Sequence, residues 1–271
     1  MTRTILITGA AGNIGGKLVA HFKQAGTYEL RLLDKRAEGD IIAADFGDYA
    51  ESWAQHFRGV DTVLHLAGNP SGQTSWASAK RDNIAGTQHV LRAAGQAKVR
   101  RVVFASTNQI MLGYRFKTGP VTTDLPPAPL SPYAISKFAC EEIGREFHEE
   151  TGIDFLALRI GYFQRGENRP GAHMQIGEWG QSMWLSNRDM IQAAEKAIEA
   201  PSFGFAVVNL ESNNIGMRWD IEHTRKVIGY VPLDTANPVI TDATRAMDAE
   251  ARKVAVAPGT WLDEHFTLVK P

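Results

Sequence analysis

A glycine turn near the start of the chain constrains the fold more than any other feature. Thr4 to Thr8 is a short apolar, β-branched run, the pattern of a strand buried on both faces. It stops at Gly9-Ala10-Ala11-Gly12-Asn13-Ile14-Gly15, and Asn13 to Ala25 then has helical spacing, with Ile14, Leu18, Val19 and Phe22 on one side. A strand that turns this abruptly into a helix needs residues without a Cβ. The helix N-terminus so formed offers free N–H groups and a positive dipole end to phosphate. Asp34 follows Gly15 by about the 20 residues that separate a phosphate turn from a ribose-binding acid. Its carboxylate accepts hydrogen bonds from adenosine ribose hydroxyls and repels a 2′-phosphate, which favours NAD over NADP. Lys35 and Arg36 oppose that preference.

The alternation continues. Strands are expected at Leu30–Leu33, Ile41–Ala44, Asp61–Leu66, Arg101–Ala105, Phe155–Arg159 and Phe205–Leu210. Helices are expected at Tyr49–Phe57, Ser78–Gly95, Ser131–Glu150 and Asn187–Glu199. Continuous apolar strands between amphipathic helices mean an α/β fold of Rossmann type, a doubly wound parallel sheet covered on both faces. The expected division is a dinucleotide-binding unit over residues 1–161 and a small C-terminal substrate cap with completing elements over 162–271, forming one compact whole. Gln164 to Gly180 shows no clear period. The cap is expected over the carboxyl ends of the strands, where ligands of open α/β sheets bind.

Composition removes several classes. Lys and Arg number 29 against 30 Asp and Glu, so the basic surplus of a duplex-binding protein is missing. The single cysteine, Cys140, cannot form an internal disulfide and fits a reducing cytoplasm. No apolar stretch has the length of a membrane span. The histidines are scattered and no metal centre is expected; His65 reads as a packed strand residue.

The other cofactor contacts are expected at strand ends. Asp45, with Phe46 beside it, closes the third strand, where a side chain reaches the adenine edge. Leu66, Ala67 and Gly68 end the fourth, where small residues let a cofactor cross the sheet. The catalytic signal is Tyr133-Ala134-Ile135-Ser136-Lys137, with Ser131-Pro132 as N-cap and first-turn proline. The i, i+4 spacing puts phenol and ammonium on one helix face. The ammonium stabilises phenolate and lowers a phenol pKa that is otherwise roughly 10. Such a phenolate takes the proton of a sugar hydroxyl while hydride leaves the same carbon. At Ala105-Ser106-Thr107-Asn108-Gln109 either Ser106 or Thr107 supplies a hydroxyl for the reacting oxygen.

Together these residues, with Asn83-Ile84-Ala85-Gly86-Thr87, identify the chain as resembling the extended short-chain dehydrogenases/reductases from Thr4 to about Gly161. Within them it is most similar to the uronate dehydrogenases, through Val103 to Asn108, Tyr133 to Lys137, Leu158-Arg159-Ile160-Gly161 and Trp184 to Asp189. The resemblance implies NAD-dependent oxidation of a hexuronic acid at C1 to a lactone. Tyr133 is then the base, Lys137 serves both catalysis and the cofactor, and Thr107 stands at the family's catalytic serine. Asn108 and Gln109 stand at its substrate-binding Asn and His, Ser71 at a substrate-contacting serine, and Tyr162 at a small residue near the nicotinamide. The segment Phe163–Gly180 is longer than in that family, and its carboxylate-gripping arginine has no single counterpart; Arg165 and Arg169 are the candidates, with His173 nearby. The expected partners are a small sugar acid and further copies of the chain in a homo-oligomer. The competing readings are a nucleotide-sugar epimerase or dehydratase, which would not accumulate NADH, and a dehydrogenase of neutral or sulfonated aldoses.

Overall fold

The computed structural model describes residues 2–256; the last part of the expected cap, 257–271, lies outside the described residues. Seven parallel strands form one sheet: β1 (Thr4–Thr8), β2 (Glu29–Asp34), β3 (Ile42–Ala43), β4 (Thr62–His65), β5 (Arg101–Thr107), β6 (Asp154–Ile160) and β7 (Phe205–Leu210). Their spatial order is β3-β2-β1-β4-β5-β6-β7. The order reverses between β1 and β4, which leaves a crevice at their carboxyl ends.

Alternation along β1 explains the layering. Ile5 and Ile7 face one way, into a core shared with α1 (Asn13–Ala25) and α7 (Asn187–Glu199). Leu6 faces the other way, into a core formed with α4 (Gly86–Ala97) and α5 (Pro132–Thr151). β5 and β6 are buried along their whole length, as covered parallel strands require. Helix α5 starts as its sequence dictates, with the Ser131 hydroxyl accepting from Ala134 N–H and Pro132 in the first turn.

Beyond Gly161 the chain does two things. It forms α6 (Gly177–Ser182) and α7, then returns to the sheet as β7, paired with β6 from Phe155↔Phe205 to Ile160↔Leu210. The last elements among the described residues are α8 (Glu222–Ile228) and α9 (Asp242–Val256). Trp179, Met183 and Trp219 close a third small core over Ile110 and Met111. Trp179 and Trp184 are both buried in cap cores.

Two helices differ from expectation. Residues 49–57 shorten to α2 (Glu51–Ala54) and a 3₁₀ turn, Gln55–Phe57. The helix expected over 78–95 is α3 (Trp76–Ser78), a π-helical stretch Ala79–Ala85, then α4. No helix among the described residues is long and apolar enough to cross a membrane.

Candidate active site

The carboxyl ends of β1, β2, β4 and β5, the start of α5 and the segment after β6 enclose a cavity of about 960 Å³. At one end is the glycine turn. Gly9 has a left-handed φ of 71°, and a Cβ on it would lie 2.8 Å from Ala67 N. A Cβ on Gly15 would collide with the Gly9 carbonyl oxygen. The glycines therefore hold β1, β4 and the α1 N-terminus together, and with Asn13 and Ile14 they form the wall. Helix α1 carries no acidic residue in its first turn and no side-chain cap, so its N–H groups stay available to an anion.

Asp34 ends β2 in the same wall. Its carboxylate accepts from Ala11 N–H and Arg36 N–H, both at 3.1 Å, which orients it and leaves acceptor capacity for hydroxyls. Asp45 and Phe46 also line the cavity. Arg81 binds Asp45 through two nitrogens, Lys35 approaches it at 3.2 Å and Gly47 N–H donates to it. These contacts, Arg81 first, hold the Asp45 carboxyl down at about 2. Lys35 is thus engaged by Asp45. Leu66, Ala67 and Gly68 complete this half of the wall.

The other half holds Tyr133, Lys137, Thr107, Gln109 and Ser71. Burial pushes the Tyr133 phenol up to about 12, and a hydrogen bond with the Thr107 hydroxyl works in the opposite direction. Burial lowers Lys137 to about 8. Its ammonium donates to the Ala105 carbonyl at 2.8 Å and lies 4.6 Å over the Phe104 ring. The phenol is thus not brought to neutrality by its surroundings in the chain alone; desolvation outweighs the other influences on it. Of the two candidate hydroxyls, Ser106 donates to Glu141 at 2.5 Å, whereas Thr107 accepts from Gln109 N–H at 3.2 Å; both residues line the cavity.

Two expected substrate contacts fall outside the wall. Asn108 is buried behind it, donating to the Arg159 carbonyl at 2.6 Å and to the Glu211 carboxyl. Arg169 is exposed and paired with Glu167 at 2.6 Å, because the turn around Asn168 carries it away from the cavity. Arg165 does line the cavity. Its neighbour Gln164 is fixed to α1 through its carbonyl, which accepts from Asn13 and Lys17. His65 is a core residue: its ring lies between the Thr8 and Thr87 hydroxyls, and burial lowers it to about 3.

The supporting groups were less visible in the sequence. Asn83, in the π-helical stretch, accepts from Asn69 N–H at 2.7 Å and donates to Ser136 at 2.9 Å. It thereby ties the loop after β4 to α5. Glu141, one turn beyond Lys137, grips Arg159 at the end of β6 through two nitrogens. A charge at a position that the helix period assigns to the core was the available signal. Gln175 and Ile176 also line the cavity. Ile176 has φ 67°, an unusual value for a β-branched residue, and no local pattern announced it.

The glycine cradle and Asp34 fit the diphosphate and ribose of a dinucleotide, and the buried Tyr133–Lys137–Thr107 group at the opposite end fits hydride chemistry. Fold and site thus define a dinucleotide-dependent oxidoreductase of Rossmann type. The model of the NAD dependent epimerase/dehydratase family matches residues 5–170, and the chain belongs to that family. It is 32% identical to an NAD-dependent glucose-6-phosphate dehydrogenase of Haloferax volcanii, over 87% of this chain and 95% of that one. It is 33% identical to an L-arabinose 1-dehydrogenase (NAD(P)(+)) of the same organism, over 87% and 98%. With a uronate dehydrogenase of Pseudomonas syringae pv. tomato it shares 31%, over 86% and 82%. Among solved structures it is similar to a mutant uronate dehydrogenase from Agrobacterium tumefaciens complexed with NAD, at a TM-score of 0.73 and 27% identity, covering 92% of this chain and 89% of that one.

Proposed function

We propose that the chain oxidises an aldose at C1 to the lactone, and that the preferred sugar carries an anionic group at C6. The observation that supports this reading most is that Tyr133, Lys137 and Thr107 line the same cavity as the glycine turn and Asp34. Bound NAD would supply the hydride acceptor, held by the α1 N-terminus, Asp34, the strand-end residues and Lys137. Thr107 orients the C1 hydroxyl, and Tyr133 takes its proton. The Lys137 ammonium favours the phenolate electrostatically. Gln109 and Ser71 offer neutral hydrogen-bonding groups to the remaining hydroxyls.

The anion assignment rests on Arg165. Of the cations in the wall, Lys35 and Arg36 sit at the Asp34 end and Lys137 at the reacting end, which leaves Arg165 for the sugar. Two of the three relatives above are named for sugars with an acidic group, glucose 6-phosphate and uronate, which agrees with such a clamp. The arabinose enzyme favours the second reading, a neutral aldose dehydrogenase. On either reading the enzyme works in the cytoplasm as a homo-oligomer, the latter to be tested by sedimentation velocity.

The deciding experiment compares glucuronate, galacturonate, glucose 6-phosphate, a 6-sulfo-hexose, glucose and arabinose by NADH absorbance, with wild type and Arg165→Ala. A charge-assisted hydrogen bond contributes about 1.5–3 kcal/mol, so removing it lowers kcat/KM for the preferred acid by roughly ten- to a hundredfold. If glucose or arabinose matches the acids and Arg165→Ala leaves the ratio unchanged, the clamp is absent. An equal loss on all sugars, accompanied by weaker NAD binding, would assign Arg165 to the cofactor. Nucleotide-sugar turnover without NADH accumulation would identify an epimerase.

A further inference from the structure

Behind the wall lies a carboxyl group that the proposed reaction does not use. Glu211 follows the last residue of β7 and is fully buried. One of its oxygens meets the Asn108 Nδ2, and the other, Oε2, has no hydrogen-bond partner. Asn108 is equally buried, and its Oδ1 also lacks a donor. The two orphaned acceptors thus belong to two groups already joined by one hydrogen bond. A carboxylate has no proton to give the second; an un-ionised carboxylic acid has one.

The surroundings favour the un-ionised form. Among the described residues no cation pairs with Glu211. The Arg159 guanidinium, on the neighbouring strand β6, is taken by Glu141 and the Met111 sulfur. The Tyr230 hydroxyl donates to the Glu211 main-chain carbonyl rather than to its carboxyl. Asp189, on α7, is satisfied by the Ser212 hydroxyl and by the N–H groups of Leu233 and Asp234. Gly161 borders the site, where a Cβ would come within 3.2 Å of Glu211 Cγ. Burial without a counter-charge also pushes the carboxyl well above the usual range.

We propose that Glu211 is an un-ionised acid that closes a ring of two hydrogen bonds with the Asn108 amide, and that this ring fixes the end of β5 from which Thr107 and Gln109 enter the cavity. In the ring Asn108 Nδ2 donates to Oε1, and the Oε2 hydroxyl donates to Oδ1. The other amide hydrogen goes to the Arg159 carbonyl, so the ring ties β5 to β6 and β7 together. Glu211 is a positioning residue: it touches neither sugar nor cofactor and acts through Asn108 on the residues on either side. The positioning part rests on Thr107 serving the reaction proposed above; the protonation state does not.

The test has two readouts. The first is the infrared difference spectrum of wild type minus Glu211→Gln at pH 8. The expected result is the C=O band of an un-ionised carboxylic acid; a pair of carboxylate bands in its place overturns the proposal. The second is kinetic, with the best sugar and saturating NAD. Glu211→Gln can form the same ring, amide to amide, and keeps kcat within about twofold. Glu211→Leu leaves Asn108 without its partner and loses about tenfold or more in kcat with NAD affinity unchanged. Wild-type turnover in Glu211→Leu refutes the positioning role. Should that variant fail to fold, the infrared band and a tenfold loss in Glu211→Gln remain as independent ways to refute it. A failed sugar assignment leaves the infrared result standing, so the two readings fail separately.

Discussion

Replacing Lys137 by Met tests the electrostatic core of the mechanism. Burial holds the Tyr133 phenol at about 12, so at pH 8 it is ionised to roughly one part in 10⁴. The ammonium sits one helical turn away. Two unit charges at the roughly 5–6 Å typical of i, i+4 neighbours on a helix interact, at an effective dielectric near 20, by about 3 kcal/mol, or about two pKa units. Removing the ammonium should therefore lower the phenolate population, and with it kcat, about a hundredfold at neutral pH. The deficit should depend on pH. Burial lowers Lys137 to about 8, so its charge is present below that value and is lost above it. Both phenols lie well above the assay range and ionise in parallel with pH, so it is the loss of the lysine charge that narrows the gap between wild type and Lys137→Met on the alkaline side. The assay is initial NADH formation from pH 6 to 10 at saturating NAD, with NAD affinity measured separately by fluorescence quenching. A deficit below about threefold, or one of equal size at every pH, would refute the electrostatic account and leave Lys137 only a binding role.

Tyr133→Phe should lose about 10²- to 10⁴-fold in kcat with NAD affinity nearly intact, because only the proton-accepting oxygen is removed; retention of a tenth of wild-type activity would show another base. Asp34→Ala should narrow the NAD-over-NADP preference in kcat/KM, since the carboxylate no longer repels a 2′-phosphate while Arg36 remains in the wall. Equal efficiency of wild type with both cofactors would show that Arg36 outweighs it. Glu141→Leu should cost about 3–5 kcal/mol in urea unfolding, because it leaves Arg159 buried and unpaired; a change below about 1 kcal/mol would show that Arg159 finds another partner.

The sheet was legible because its strands are continuous apolar runs that stop at glycine or aspartate, and β7 was readable from Phe205 to Leu210 on that basis. The π-helical stretch was not, since one inserted hydrogen-bonding step shifts the phase of an otherwise helical pattern by only one residue. Of the site, the residues that face the cavity from fixed backbone positions were readable: the glycine turn, Asp34, and the Tyr133–Lys137 pair. What escaped was set by side-chain direction. Ser106 and Thr107 are adjacent in β5, and nothing in their spacing showed that the Ser106 hydroxyl is committed to Glu141 of α5. Asn108 and Arg169 sit in segments without a period, where spacing carries no direction. Glu211 lies about 100 residues from Asn108 in sequence, and only sheet order brings them together.

The return of the chain to the sheet as β7 bears on how such enzymes can be re-engineered or diversify. A boundary at residue 161 suggests that everything after it could be exchanged wholesale between relatives to change the preferred sugar. The pairing of β7 with β6 makes that exchange costly, because a foreign strand would bring its own residue to the place where Glu211 meets Asn108. The segment from Phe163 to Ser182 contributes Arg165, Gln175 and Ile176 to the cavity and no strand to the sheet. It is therefore the natural unit of grafting: recombinants that swap this loop and α6 alone should stay active while their sugar preference moves. Recombinants joined at Gly161 should fold less well and turn over slowly on every sugar.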